Sequence, residues 1–162
     1  MLERLPTKAA MKRARLLNSE LSYEIARIGH TAALTLCDAG LPIPGGVRRI
    51  DLAIERGYPA FVRTLDVLLS EMMVEEIVVA REIHAQNPDV FRQMMELFRA
   101  HGMKPVVTEV PHAHFKEITR SSEVIVRTGE CTPYANVILK SGVAFSSAQS
   151  APRPDGGGNS LP

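Results

Sequence analysis

Apolar positions along this chain fall in two rhythms, and the switching between them predicts helices and strands in turn. After Asn18 or Ser19, either of which can cap a helix, Leu21, Ile25 and Ile28 recur on one helical face. Gly29 is placed to end that helix in the left-handed conformation. Leu34-Thr35-Leu36-Cys37 reads as a short buried strand, and Ile50-Asp51-Leu52-Ala53-Ile54 as a possible second one. Pro59 opens a helix with Phe61, Leu65, Leu68 and Leu69 inward. Val74–Ala80 fits either period, but Ile77-Val78-Val79 favours strand. Asn87-Pro88 is a cap with Pro at the first helical position; Phe91, Met94, Met95 and Phe98 form the apolar face, and Gly102 stops the helix. Val106-Val107 begins a strand, and a short helix covers residues 111–120. Val124-Ile125-Val126 and Val137-Ile138-Leu139 close the pattern as strands. The expected class is α/β: a three-layer sandwich with a largely parallel or mixed central sheet. Helices should cover both faces, because the strands are apolar runs and do not alternate.

Composition narrows the function classes. With 162 residues one domain is expected, here residues 11–145, preceded by an N-terminal extension over 1–10. Residues 146–162 are mostly Ser, Pro, Gly and Ala and read as a disordered tail. The 19 Lys plus Arg against 18 Asp plus Glu leave no basic field for nucleic acid. Few aromatics and no Trp argue against a stacking platform for single strands. No apolar run approaches the roughly 18 residues of a membrane helix. Two cysteines, Cys37 and Cys131, suit a reducing cytoplasm. Neither Cys-x-x-Cys nor His-Glu-x-x-His occurs, so no metal is expected; no Gly-x-Gly-x-x-Gly or Walker loop supports a nucleotide cofactor.

Chemistry concentrates beside the Gly and Pro turns. His30 follows a helix end, where partial negative charge attracts a cation. It is either a proton donor or a side chain that merely satisfies carbonyls. Asp38 ends a buried strand, the edge at which open α/β sheets bind ligands; the alternative is an Asx turn into Ala39-Gly40. His112 and Lys116 are four apart at a strand-to-helix junction and share a helical face. They face a sugar or acid, or they form a solvated first turn. Tyr134 and Asn136 alternate at a strand start and so point to one face, with donors and acceptors suited to hydroxyls.

Four segments together resemble a known family: Gly29-His30-Thr31, Cys37-Asp38-Ala39-Gly40-Leu41-Pro42-Ile43-Pro44, Arg49-Ile50-Asp51 and Gly129-Glu130-Cys131-Thr132-Pro133-Tyr134-Ala135-Asn136. They look like the D-ribose pyranases of the ribose/fucose mutarotases, over residues 11–145. The resemblance implies interconversion of the six- and five-membered rings of D-ribose, without a cofactor, which supplies the furanose to ribokinase. It implies His30 as proton donor. It implies Asp38, His112, Lys116, Tyr134, Ala135 and Asn136 as sugar-binding residues. It also implies a ring-shaped homo-oligomer, commonly a decamer, with sites at subunit contacts. Two rival readings remain, an L-fucose-type mutarotase and a non-catalytic sugar-binding subunit. Gly40-Leu41-Pro42-Ile43-Pro44, where fucose enzymes usually carry an aromatic-containing segment, favours ribose.

Overall fold

The structure, a computed structural model, describes residues 12–143. The expectations for residues 1–10 and 146–162 lie outside them. Six strands form one sheet: β1 (Ala33–Cys37), β2 (Arg48–Asp51), β3 (Val74–Ala80), β4 (Val106–Val110), β5 (Val124–Arg127) and β6 (Val137–Ser141). Their spatial order is β2-β5-β1-β6-β3-β4. The β1–β5, β2–β5 and β3–β4 pairs are parallel, while β6 runs antiparallel to both β1 and β3, so the sheet is mixed. The helices are α1 (Ser19–Arg27), α2 (Phe61–Leu69), α3 (Ile83–Gln86), α4 (Pro88–Ala100) and α5 (His112–Ile118).

Two cores explain the apolar runs. On one face Leu36, Ile77, Val126 and Leu139 pack with Leu21 of α1, Phe61 and Leu65 of α2, and Met94 and Phe98 of α4. On the other face Val78, Ala80, Ile125 and Ile138 receive Phe115 of α5. A strand interior to such a sheet buries both of its faces, so periodicity two disappears from its sequence.

Several ends differ in detail from expectation. Asn18 caps α1, its side chain accepting the Leu21 N–H at 2.9 Å. The left-handed residue after that helix is Thr31, at φ 68°, and not Gly29. Pro59 does not open α2, because Ala60 stands between them as the cap. The second strand begins earlier, at Arg48, and stops at Asp51, whose carboxylate turns back onto the Ala53 N–H. As an edge strand bonded only to β5 it buries Ile50 alone, too little for an apolar signature. Asn87 precedes Pro88 as expected, yet its side chain does not cap α4. The amide instead donates to Thr132 Oγ1 at 2.8 Å and to the Pro133 carbonyl at 2.9 Å.

Asp66 ties α2 to α4. It accepts from His101 Nε2 at 2.8 Å and pairs with the Arg15 guanidinium. The Arg15 bond, followed by the His101 bond, holds the Asp66 carboxyl down at about 2. The stability this provides is complete above the ordinary carboxylate range and is lost as pH falls towards 2. Asp66→Asn should therefore lower the thermal midpoint by a few degrees at pH 7 and leave it nearly unchanged below pH 2. Scans at the two pH values check this; equal losses at both would mean that the carboxylate charge is not the cause.

Candidate active site

The carboxyl ends of the parallel strands meet at one edge of the sheet, where its direction of pairing changes. β1 there has parallel β5 on one side and antiparallel β6 on the other. Such a switch point opens a crevice, because the chain leaves neighbouring strands in different directions. The crevice here is a cleft of about 760 Å³ whose wall includes Asp38, His112, Lys116, Arg127, Tyr134 and Asn136.

Asp38 is held from both sides. Its Oδ1 accepts the Gly40 N–H at 2.9 Å, which is the Asx turn the sequence allows. Its Oδ2 accepts Asn136 Nδ2 at 2.8 Å, while Asn136 Oδ1 accepts the Asp38 N–H at 2.9 Å. Turn and ligand readings are thus compatible, since each carboxylate oxygen retains a lone pair for a further donor. Asn136 is almost completely buried, and much of its hydrogen-bonding capacity goes to orienting Asp38.

The loop after β5 supplies the opposite wall. The Glu130 carboxylate accepts from the Cys131 and Thr132 N–H groups at 3.1 Å and from Thr132 Oγ1 at 3.0 Å. Its other oxygen accepts the Phe61 N–H at the start of α2, at 3.3 Å. The loop is therefore curled around one carboxylate, and Asn87 braces it from α4. Tyr134 emerges from the loop at φ 59°, in a turn before β6. It does not lie on an extended strand start as expected, yet it lines the cleft with Asn136 all the same.

His112 is the first residue of α5, and Lys116 follows one turn later on the same face, as the spacing predicts. The His112 ring meets Tyr134 edge-on at 5.0 Å and stacks on Phe115 at 6.2 Å. Burial, and then the Lys116 charge, lower the imidazole pKa and favour its neutral form near pH 7. A neutral ring offers one donor and one acceptor. Cys37, behind Asp38, is buried and its thiol is pushed up to about 12, chiefly by that burial; it stays protonated and inert.

The fold brings Asp38, His112, Lys116, Tyr134 and Asn136 into one cleft. It does not bring Ala135 into the wall, for that side chain is wholly buried in the core. His30 is not there either. It lies before β1, where β6 ends, and its Nε2 contacts the Glu75 carboxylate at 3.0 Å. The five residues of β1 separate it from Asp38, about 16 Å of strand. Arg56, Arg127 and Glu130 line the cleft without having been expected. Arg127 carried a usable signal: it ends a buried apolar run as Asp38 follows another, and it pairs with Cys37 across the sheet. Its guanidinium donates to the Ala39 carbonyl and to Asp51. Arg56 lies in a loop with no periodic signal.

A carboxylate, a neutral imidazole, a phenol, an amide and an ammonium line an open cleft in a mixed α/β domain, an arrangement with the donors and acceptors to hold a small hydroxyl-rich molecule. The profile of the RbsD / FucU transport protein family matches residues 11–144, and the chain belongs to that family. A D-ribose pyranase of Rhodopirellula baltica is 73% identical over 135 residues, covering 83% of this chain and 100% of that one. Bacillus subtilis RbsD, solved in complex with D-ribose, matches with a TM-score of 0.78 and 42% identity over 83% of this chain and 100% of its own. The fucose mutarotase of Streptococcus pneumoniae, solved with L-fucose, shares the fold at a TM-score of 0.70 and 24% identity, over 79% of this chain and 94% of its own.

Proposed function

We infer that this chain is a D-ribose pyranase, an isomerase that interconverts the pyranose and furanose forms of the sugar. The observation that carries the reading is the Asp38–Asn136 clasp facing His112 and Tyr134 across one cleft, in a chain 73% identical to a pyranase along that relative's full length. Exchange of ring size needs the bond between the anomeric carbon and the ring oxygen to break. The ring oxygen must gain a proton and the anomeric hydroxyl must lose one. The open aldehyde then recloses through a different hydroxyl. In this reading His30 delivers the proton to the ring oxygen. Asp38 accepts hydrogen bonds from sugar hydroxyls, while His112, Lys116, Tyr134 and Asn136 fix the ring. Ala135 contributes backbone only.

In this reading His30 serves the cleft of another copy of the chain, since its own cleft lies beyond β1. That separation supports a homo-oligomer with sites completed across subunit contacts; the decameric ring is what the resemblance to the family implies. Two free cysteines, one buried and one exposed, suit residence in the cytoplasm. Saturation-transfer NMR on D-ribose tests the activity. Pyranose–furanose exchange should run faster with the protein than in buffer, and faster than any effect on L-fucose anomers. Binding of ribose with exchange at the buffer rate would instead identify a non-catalytic sugar-binding subunit.

A further inference from the structure

Glu82 is absent from the wall of the cleft, yet both of its carboxylate oxygens accept the His112 N–H, each at 3.1 Å. It stands just past the end of β3, on a different segment from α5. Pro111, the residue before His112, provides no side-chain cap for α5. The His112 ring has little else to anchor it. Its Nδ1 is buried without a hydrogen-bond partner among the described residues, and its neighbours Phe115 and Tyr134 hold it by ring contacts. Where the backbone of His112 sits therefore decides where its ring presents itself.

We propose that Glu82 is a positioning residue for the cleft: it seats His112 through the backbone and balances the Lys116 charge across the imidazole. The proposal rests on reading His112 as a sugar ligand. The charged groups that face the ring come from three elements: Lys116 on α5, Glu82 after β3, and Asp38 after β1. Burial and Lys116 work against the imidazolium, while Glu82 and Asp38 work for it. The Glu82 carboxyl is itself held below the usual carboxylate range, first by the His112 N–H, and so is an anion throughout the neutral range. Removing that anion makes the imidazolium harder to form. The acid side of any pH profile governed by neutral His112 then moves to lower pH.

The test compares wild type, Glu82→Gln and Glu82→Asp. D-ribose exchange is followed by saturation transfer against pH and ribose concentration, and the His112 ring nitrogens are titrated by NMR in the same proteins. In Glu82→Gln the half-saturating ribose concentration should rise roughly three- to tenfold, and the His112 titration and the acid limb should both move down in pH. Glu82→Asp keeps the charge but not the reach. It should restore the titration and leave ribose binding weak, and it carries the binding test should Glu82→Gln not fold. A His112 titration that is the same in wild type and Glu82→Gln, or unchanged ribose saturation in both variants, overturns the proposal. If wild type gave no exchange at all, the pyranase reading would fall, while the ring titration would still decide the coupling of Glu82 to His112.

Discussion

His30→Ala should slow D-ribose ring exchange by about 10²–10⁴-fold, the usual share of a positioned acid–base group, with no measurable change in thermal midpoint. The side chain is 52% exposed and its partner, Glu75, is 46% exposed. A surface ion pair of this kind adds little to folding. A second measurement separates a donor supplied by a neighbour from one supplied in the same chain. His30→Ala and Asp38→Asn should each be inactive alone. When they are unfolded together and reassembled, clefts form that pair an intact Asp38 from one copy with an intact His30 from another. Random mixing places both intact groups at about one quarter of the sites in a symmetric assembly. Recovery near that fraction supports a shared site. A mixture as inactive as its parents would sink the idea that His30 acts across a subunit contact.

This division was only half visible in the amino-acid order. Asp38, His112 and Lys116 were legible because each sits at a junction that local rules describe: the end of a buried strand, or two positions one helical turn apart. The helices were legible where apolar spacing and caps agreed, as with Asn18 on α1 and Pro88 on α4. Tyr134 lines the same cleft as Asn136, but from a turn and not from the extended strand start that alternation predicts. Its left-handed backbone follows from a loop wound around Glu130 and braced by Asn87, contacts 4 and 47 positions away that no local window contains. Glu82 escaped notice for the same cause, since its partner lies 30 positions along the chain. The antiparallel insertion of β6 between β1 and β3 depends on how two halves of the sheet dock, and strand composition is nearly blind to direction when both faces are buried. His30 shows the limit most clearly. Its local setting suits a proton donor, but a single chain keeps it a full strand away from the groups it would serve.

Gly129→Ala should abolish most ring exchange and destabilise the fold, through space and not through conformational freedom. The residue has no positive φ. Its difficulty is that a Cβ would lie 2.2 Å from the Tyr58 carbonyl oxygen and 2.5 Å from that of Glu55, both main-chain atoms. Neither can rotate aside as a side chain would. The turn that carries them is closed by the Tyr58 N–H on the Glu55 carbonyl at 3.0 Å, and it is tied to Gly129 by the Gly57 N–H on the Gly129 carbonyl and the Gly129 N–H on the Pro59 carbonyl. One of the two segments must give way. If the turn moves, the approach to α2 moves with it. If the loop moves, Glu130 shifts, and with it the bonds to Cys131, Thr132 and Phe61 that set the path to Tyr134. Overpacking of this sort costs about 1–3 kcal/mol, equivalent to a fall of roughly 2–12 °C in thermal midpoint for a domain of this size. A displacement of about 1 Å at the cleft wall is enough for a further hundredfold loss of rate. Gly45→Ala is the matched control, because a Cβ there meets nothing within 4 Å. It should melt and turn over like wild type, and a Gly129→Ala protein that did the same would show that the turn and the loop are not packed as tightly as the geometry requires.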